Sequence, residues 1–218
     1  MTPLPLDEIA SAVEARLPFA ETLFETLAVE TRDGDGVTRP AWSPADGRAA
    51  SMVAEASRTL GLEIESDRAG NIYATLPGQD RNAPALLTGS HLDSVPKGGN
   101  YDGYAGVVAG LTALAAYRDL GITPHCDIRT VGLRGEESVW YGIAYIGSRL
   151  VVGSLDVSEI DRLRRADTNR TLADHMAEAD VDLAALRGEA APYITSRNTK
   201  GFLELHIEQG PVLVVRDI

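Results

Sequence analysis

The chain has 218 residues, with 20 Lys and Arg against 32 Asp and Glu, for a formal net charge of −12. This length suits one domain of ordinary size, and a hydrophobic share of 44 % supplies a core, which excludes a disordered or fibrous chain. So acidic a balance excludes a phosphate backbone as partner, since that binding needs clustered Lys and Arg, and it points to small molecules or cations.

Elements follow in chain order. The opening MTPLPLDEIASAVEARL is acidic and broken by prolines, unlike a secretory signal or an Arg-rich transit peptide. No apolar run reaches the ~20 residues that span a bilayer, so no membrane contact and a cytoplasmic location are expected. Apolar residues at helical spacing (Leu6, Ile9, Val13, Leu17, then Leu23, Phe24, Leu27) predict a surface helix over 6–29, bent or split at Pro18. TRDGDGVTRP reads as a loop. Ser43 as N-cap, Pro44 in the first turn, Asp46 completing a capping box and Gly61 as the stop predict a second helix.

LEIES and NIYATL, joined by DRAG, predict a hairpin, and ALLTGS at 85–90 a buried central strand. Residues 104–120 predict a buried helix and DIRTVGL at 127–133 another buried strand. Segments 139–150, 158–165 and 171–187 read as helical, and FLELHIEQG begins as a strand. The strand–helix–strand order predicts an α/β layered fold, a mixed and largely parallel sheet flanked by helices, with functional residues beyond the strands' carboxyl ends.

Three polar clusters interrupt these strands near their carboxyl ends. GSHLDSVPKGGNYDGYAGV places His91 and Asp93 after one strand, and Asp102 just ahead of a helix whose unpaired N–H groups favour a carboxylate. LRGEESVWYG sets Glu136 beside Glu137, a costly pair near an apolar strand end unless a cation neutralises it. LELHIEQG separates His206 from Glu208 by one residue, and His with carboxylates is the donor set zinc selects in hydrolytic sites. Each cluster alone has an ordinary explanation: a helix cap, solvated glutamates, a packed histidine. Three at the strand ends of one α/β core point jointly to a metal site. Cys126 is expected as a buried free thiol without a disulfide. His125 and His175 are expected at the surface, Trp42 and Trp140 in the core or a pocket wall, and the arginines within 162–165 on a solvated helix face.

HLDSVPKGGNYDG, the Glu-Glu pair and HIEQGP together resemble the hydantoinase/carbamoylase family, within the broader di-zinc metallopeptidase superfamily. GVTRPAWSPADG, DRAGNIYATLPG and YIGSRL extend the resemblance over residues 35–213. The resemblance implies a zinc-aminopeptidase-like catalytic domain and two divalent cations, Zn2+ or Mn2+. It implies that His91 and His206 bind one ion, Glu137 binds the other and Asp102 bridges them. Asp93 would fix the His91 tautomer, Glu136 would be general base and acid, and Gln209 would lie near the substrate. The implied reaction is hydrolysis of a carbamoyl or ureido C–N bond, as in N-carbamoyl amino acids or allantoate.

Family members are longer and homodimeric: a lid and dimerisation domain follows HIEQGP, and the returning chain supplies a further metal-binding His. Residues 1–218 are therefore expected to be the amino-terminal part of the catalytic domain, with the second metal site incomplete. Ser138 stands where many members have Gly, and VVRDI departs from what usually follows GPVL. Two other readings remain open: a non-catalytic metal-binding fragment, and a peptidase-type amidase of the same superfamily. HIEQGP favours the carbamoyl side over the latter, because peptidase relatives usually place an acidic ligand at this His.

Overall fold

The computed structural model describes residues 5–188 and 191–217. Helices α1 (Leu6–Glu14) and α2 (Leu17–Glu30) are separated at Ala15 and Arg16, with Pro18 in the first turn of α2, where its missing N–H costs nothing. The stretch expected as a loop contains a small antiparallel hairpin, β1 (Arg32–Asp33) and β2 (Gly36–Val37). Helix α3 (Pro44–Thr59) starts on the Ser43 side chain, which accepts from Asp46 N, and stops at Gly61, whose φ of +64° any other residue would resist. The expected capping box is only half made. The buried Asp46 carboxylate accepts from Trp42 N at 2.7 Å and faces Arg134 Nε at 3.6 Å.

Strands β3 (Glu63–Ser66) and β4 (Ile72–Leu76) form the expected antiparallel hairpin. Next come β5 (Ala85–His91), helix α4 (Tyr104–Asp119) and β6 (Ile128–Leu133), a parallel strand–helix–strand unit. Short helices α5 (Ser138–Tyr141), α6 (Ile146–Val151), α7 (Leu172–Glu178) and α8 (Leu183–Gly188) follow, then β7 (Thr199–Leu203) and α9 (Val212–Arg216). The three longer helices expected over 139–187 are broken up. Left-handed Gly142 separates α5 from α6, left-handed Asp180 separates α7 from α8, and the middle segment forms only a 3-10 turn, Val157–Asp161. The complete capping box lies instead at Thr171 and Asp174, ahead of α7.

The main sheet runs β3-β4-β6-β5-β7. Because β4 is antiparallel to both neighbours while β5 is parallel to β6 and β7, only β4 opposes the other four strands. A fold that is α/β, mixed and largely parallel is what the sequence predicts. A large core cluster joins α2, α3 and α4 to the sheet through Leu27, Val53, Ala74, Val107, Leu111 and Leu114. A second gathers Trp42, Trp140, Tyr141, Ile146, Leu172 and Met176 beneath the loops that follow β6. Both tryptophans are thus core residues, as expected.

Three smaller expectations fail. His175 is buried and bonded to Thr168 Oγ1, because α7 turns that face inward. Arg165 is buried, pairing with Asp167 and donating to Ala41 O. Cys126 is half-buried, although free, because it lies just ahead of β6 at the sheet's rim. His125 is exposed.

Candidate metal centre

Three parallel strands deliver the three polar clusters to one end of the sheet. His91 is the last residue of β5, Glu136 and Glu137 follow β6, and His206 follows β7. A parallel sheet aligns its carboxyl ends, so residues up to 115 positions apart become neighbours there.

His91 is fully buried, and its Nδ1–H donates to the Asp93 carbonyl at 2.9 Å. A carbonyl can only accept, so Nδ1 carries a proton, and Nε2 is the nitrogen that faces His206 and the carboxylates and that a metal ion would use in place of a proton. His206 is held likewise, with Nδ1–H on the Ile207 carbonyl at 2.7 Å. The two rings stack, with centroids 5.3 Å apart, and the two Nε2 atoms lie 3.0 Å from each other. Asp102 Oδ1 is 3.7 Å from each of these nitrogens. Three donor atoms with edges of 3.0, 3.7 and 3.7 Å match the roughly 3.3–3.5 Å edge of a tetrahedron built on ~2.0–2.2 Å zinc bonds. The donor set therefore fits a divalent cation. A second group of ligand type joins His91 to Glu136 and Glu137.

The electrostatics favour a cation at this point. Burial opposes charging His91, but Asp93, Glu136 and Asp102 outweigh it and raise its pKa to about 9. Carboxylates that attract a proton so strongly attract a metal ion on the same grounds. Burial, reinforced by the Asp102 charge, pushes Glu137 up to about 7, and burial also raises Glu136. Glu136 Oε2 sits 3.8 Å from His91 Nε2, at the edge of the ligand triangle and half-exposed, where it can reach a water or a substrate.

Asp93 does more than the expectation gives it. Its backbone carbonyl holds the His91 tautomer, with its carboxylate oxygen 3.6 Å from Nδ1. The buried carboxylate accepts from Glu136 N and Glu137 N, both at 3.1 Å, and so ties the loop after β6 to the loop after β5. Asp102 also departs from a helix cap: Gly103 is the N-cap of α4, and no side chain caps this end. Gly103 has φ +64°, and a Cβ there would clash with the His91 ring at 2.4 Å, so only glycine lets the helix start so close to this imidazole. Gln209 donates Nε2–H to Asp102 Oδ1 at 2.8 Å, Asp102 Oδ2 at 2.9 Å and Glu137 Oε1 at 3.1 Å.

Arg39 escaped the sequence reading, because an arginine in a turn-rich stretch ordinarily points to solvent. It is fully buried, donating Nε–H to Leu92 O at 2.7 Å and Nη2–H to Asp102 O at 3.0 Å, with its guanidinium over the Tyr104 ring. It thereby clamps the start and the end of the loop between β5 and α4. The one available signal was its place in GVTRPAWSPADG, a stretch of the resemblance without a catalytic residue of its own.

Residues 71–197 match the model of peptidase family M28. The chain is 35 % identical over 193 residues to the N-carbamoyl-L-amino acid amidohydrolase of Geobacillus stearothermophilus, covering 88 % of this chain and 46 % of that one. It is 30 % identical over 213 residues to the ureidoglycolate hydrolase of Arabidopsis thaliana, covering 94 % and 44 %. Among solved structures, a hydantoinase/carbamoylase family amidase from Burkholderia ambifaria aligns with TM-score 0.74 and 31 % identity over 91 % of this chain and 47 % of its own. The chain thus spans about half the length of the relatives it matches. The family match covers more than half of the chain and includes His91, Asp102, Glu136 and Glu137, and on that ground the chain belongs to peptidase family M28.

Proposed function

We propose that the cluster is the metal centre of a hydrolase acting on a non-peptide C–N bond, in the carbamoyl or ureido group of a small substrate such as an N-carbamoyl amino acid. The observation that carries this is the triangle of His91 Nε2, His206 Nε2 and Asp102 Oδ1 with Glu136 at its edge. The names of the relatives supply the substrate class. His91, His206 and Asp102 would hold one cation and Glu137, with Asp102 shared, a second. The His-rich donor set suits zinc, with manganese the other candidate. When bound, such ions supply Lewis-acid polarisation of a carbonyl and acidify water.

This chain's own groups supply the rest. Asp93 holds the His91 tautomer through its carbonyl, and its carboxylate fixes the peptides of Glu136 and Glu137, so both glutamates project from a rigid loop. Glu136 takes the proton of the attacking water and returns it to the leaving nitrogen. For an N-carbamoyl amino acid, the water oxygen bonds to the carbamoyl carbon and the C–N bond to the amino acid breaks. The resulting carbamic acid releases ammonia and carbon dioxide.

A second reading, a metal-binding unit without turnover of its own, is favoured by the exposure of His206 and Gln209. Both readings are tested by loading the chain with Zn2+ or Mn2+ and following ammonia release from N-carbamoyl amino acids and ureidoglycolate. Turnover that falls at least about 100-fold in Glu136→Gln, with metal content retained, supports the hydrolase. Turnover unchanged in that variant defeats the role of Glu136. Metal retained by wild type but lost in His91→Ala, without turnover in either, leaves the second reading standing.

A further inference from the structure

Gln209 makes a contact that neither the hydrolytic reading nor the relatives' names assign. Its single amide nitrogen faces three carboxylate oxygens, two on Asp102 and one on Glu137, all within 3.1 Å. An amide nitrogen carries only two hydrogens, so the three acceptors share them, and a neutral carboxamide leaves the two carboxylates only partly compensated. Asp102 is almost completely buried, so water satisfies little of its charge.

The backbone around Gln209 is constrained. Gln209 has φ +56°, a left-handed conformation a non-glycine residue resists. Next to it, the Glu208 carboxylate accepts from Val212 N at 3.1 Å and Leu213 N at 2.7 Å, anchoring the start of α9 and with it the direction in which the Gln209 side chain leaves the chain. Strain of this kind persists where surrounding contacts over-determine it. The donor nitrogen thus occupies the point between Asp102 and Glu137 where the second cation of the proposed centre would be held.

We propose that Gln209 is a placeholder for the second cation: its carboxamide holds Asp102 and Glu137 together and must swing out before an ion binds between them. The inference rests on the metal-centre reading. Filling the first position, between His91, His206 and Asp102 Oδ1, leaves the carboxamide in place, whereas filling the second releases it. An intramolecular competitor weakens the apparent affinity of the second step by the fraction of molecules in which it is already displaced.

The test is calorimetric titration of the metal-stripped chain with zinc chloride, in wild type, Gln209→Ala and Gln209→Met, the last keeping length without a donor. Because the side chain is exposed, both variants keep the fold, which circular dichroism verifies. The expected result is a first step within twofold of wild type and a second step at least about fivefold tighter in both variants. In 15N-labelled wild type, the Gln209 side-chain amide signal moves on the second equivalent of zinc and not on the first. A second step unchanged in both variants overturns the placeholder, as does a weaker one, which would make Gln209 a ligand. Wild type that takes up no zinc at either step defeats the metal-centre reading itself, and is distinguished by the missing first step.

Discussion

The two halves of the site are built unlike one another. The half carried by β5 and the loop leading into α4 is interior: His91 and Asp93 are fully buried and Asp102 nearly so, with His91 bonded within its own loop, Asp93 to the loop after β6, and Asp102 to Arg39. The half carried by β7 and the segment after it lies on the surface: His206, Glu208 and Gln209 are exposed, and so are Phe202, Leu203, Leu205, Val214 and Val215 around them. The buried candidate donors are positioned by the core and cost stability if disturbed. The exposed ones are positioned mainly by the chain's own local turns. Ligand geometry and fold stability are coupled on one side of this centre and separable on the other.

Three experiments bear on that contrast. The largest effect is expected at Arg39→Met, which removes the clamp on Leu92 and Asp102, takes the side-chain donor from the buried Leu92 carbonyl and leaves the Asp102 carbonyl with Tyr104 N alone. Urea denaturation should show a loss of about 3–5 kcal/mol, and a loss below about 1 kcal/mol would break the view that the buried half is core-bound.

Next comes the buried carboxylate behind the site. Burial raises the Asp46 pKa to about 6 from an ordinary 3.8. The folded state therefore binds this proton more tightly than the unfolded chain does. The contribution is present below the unfolded value and is lost as pH rises through about 6, with a span of about 3 kcal/mol. The wild-type stability minus that of Asp46→Asn should fall with rising pH across this window and stay flat above about 7. A difference constant between pH 4 and 7 would contradict it.

The smallest effect on folding belongs to His206→Ala. It should weaken zinc binding at least about 100-fold while leaving unfolding free energy within about 0.5 kcal/mol, measured by calorimetry and by urea melts. A stability loss as large as that of Arg39→Met would erase the distinction between the halves.

Much of the proposed site is legible without coordinates. His91, Asp102, the Glu136–Glu137 pair and His206 announce themselves because charged and ligating side chains are costly at the ends of apolar strands unless something compensates them. The N-cap at Ser43 and the stop at Gly61 are equally readable, because caps depend on the few residues next to them. Other features are not readable in this way. Arg39 looks like an ordinary surface arginine until the loop ends it joins are in place. The resemblance gives the Asp93 side chain to His91; in the fold its carbonyl also bonds Nδ1, and the carboxylate, 3.6 Å from that nitrogen, in addition holds two peptides of another loop. The breaks at Gly142 and Asp180 turn expected long helices into short ones because packing around Trp42, Trp140 and Leu172 rewards compact turns over helical continuity.

By itself the sequence determined the order of the main sheet's strands and of the long helices, the ends of α3 and the residue types that the proposed metal centre needs. These are local matters, decided by hydrophobic period, by capping side chains and by the cost of charge near apolar strands. Tertiary structure alone decided that β5 pairs in parallel with both β6 and β7, and so that His91, Glu136 and His206 share one point. Strand pairing between residues more than a hundred positions apart leaves no periodic mark, because it depends on which buried surfaces close over one another. The same closure put the Gln209 amide between Asp102 and Glu137.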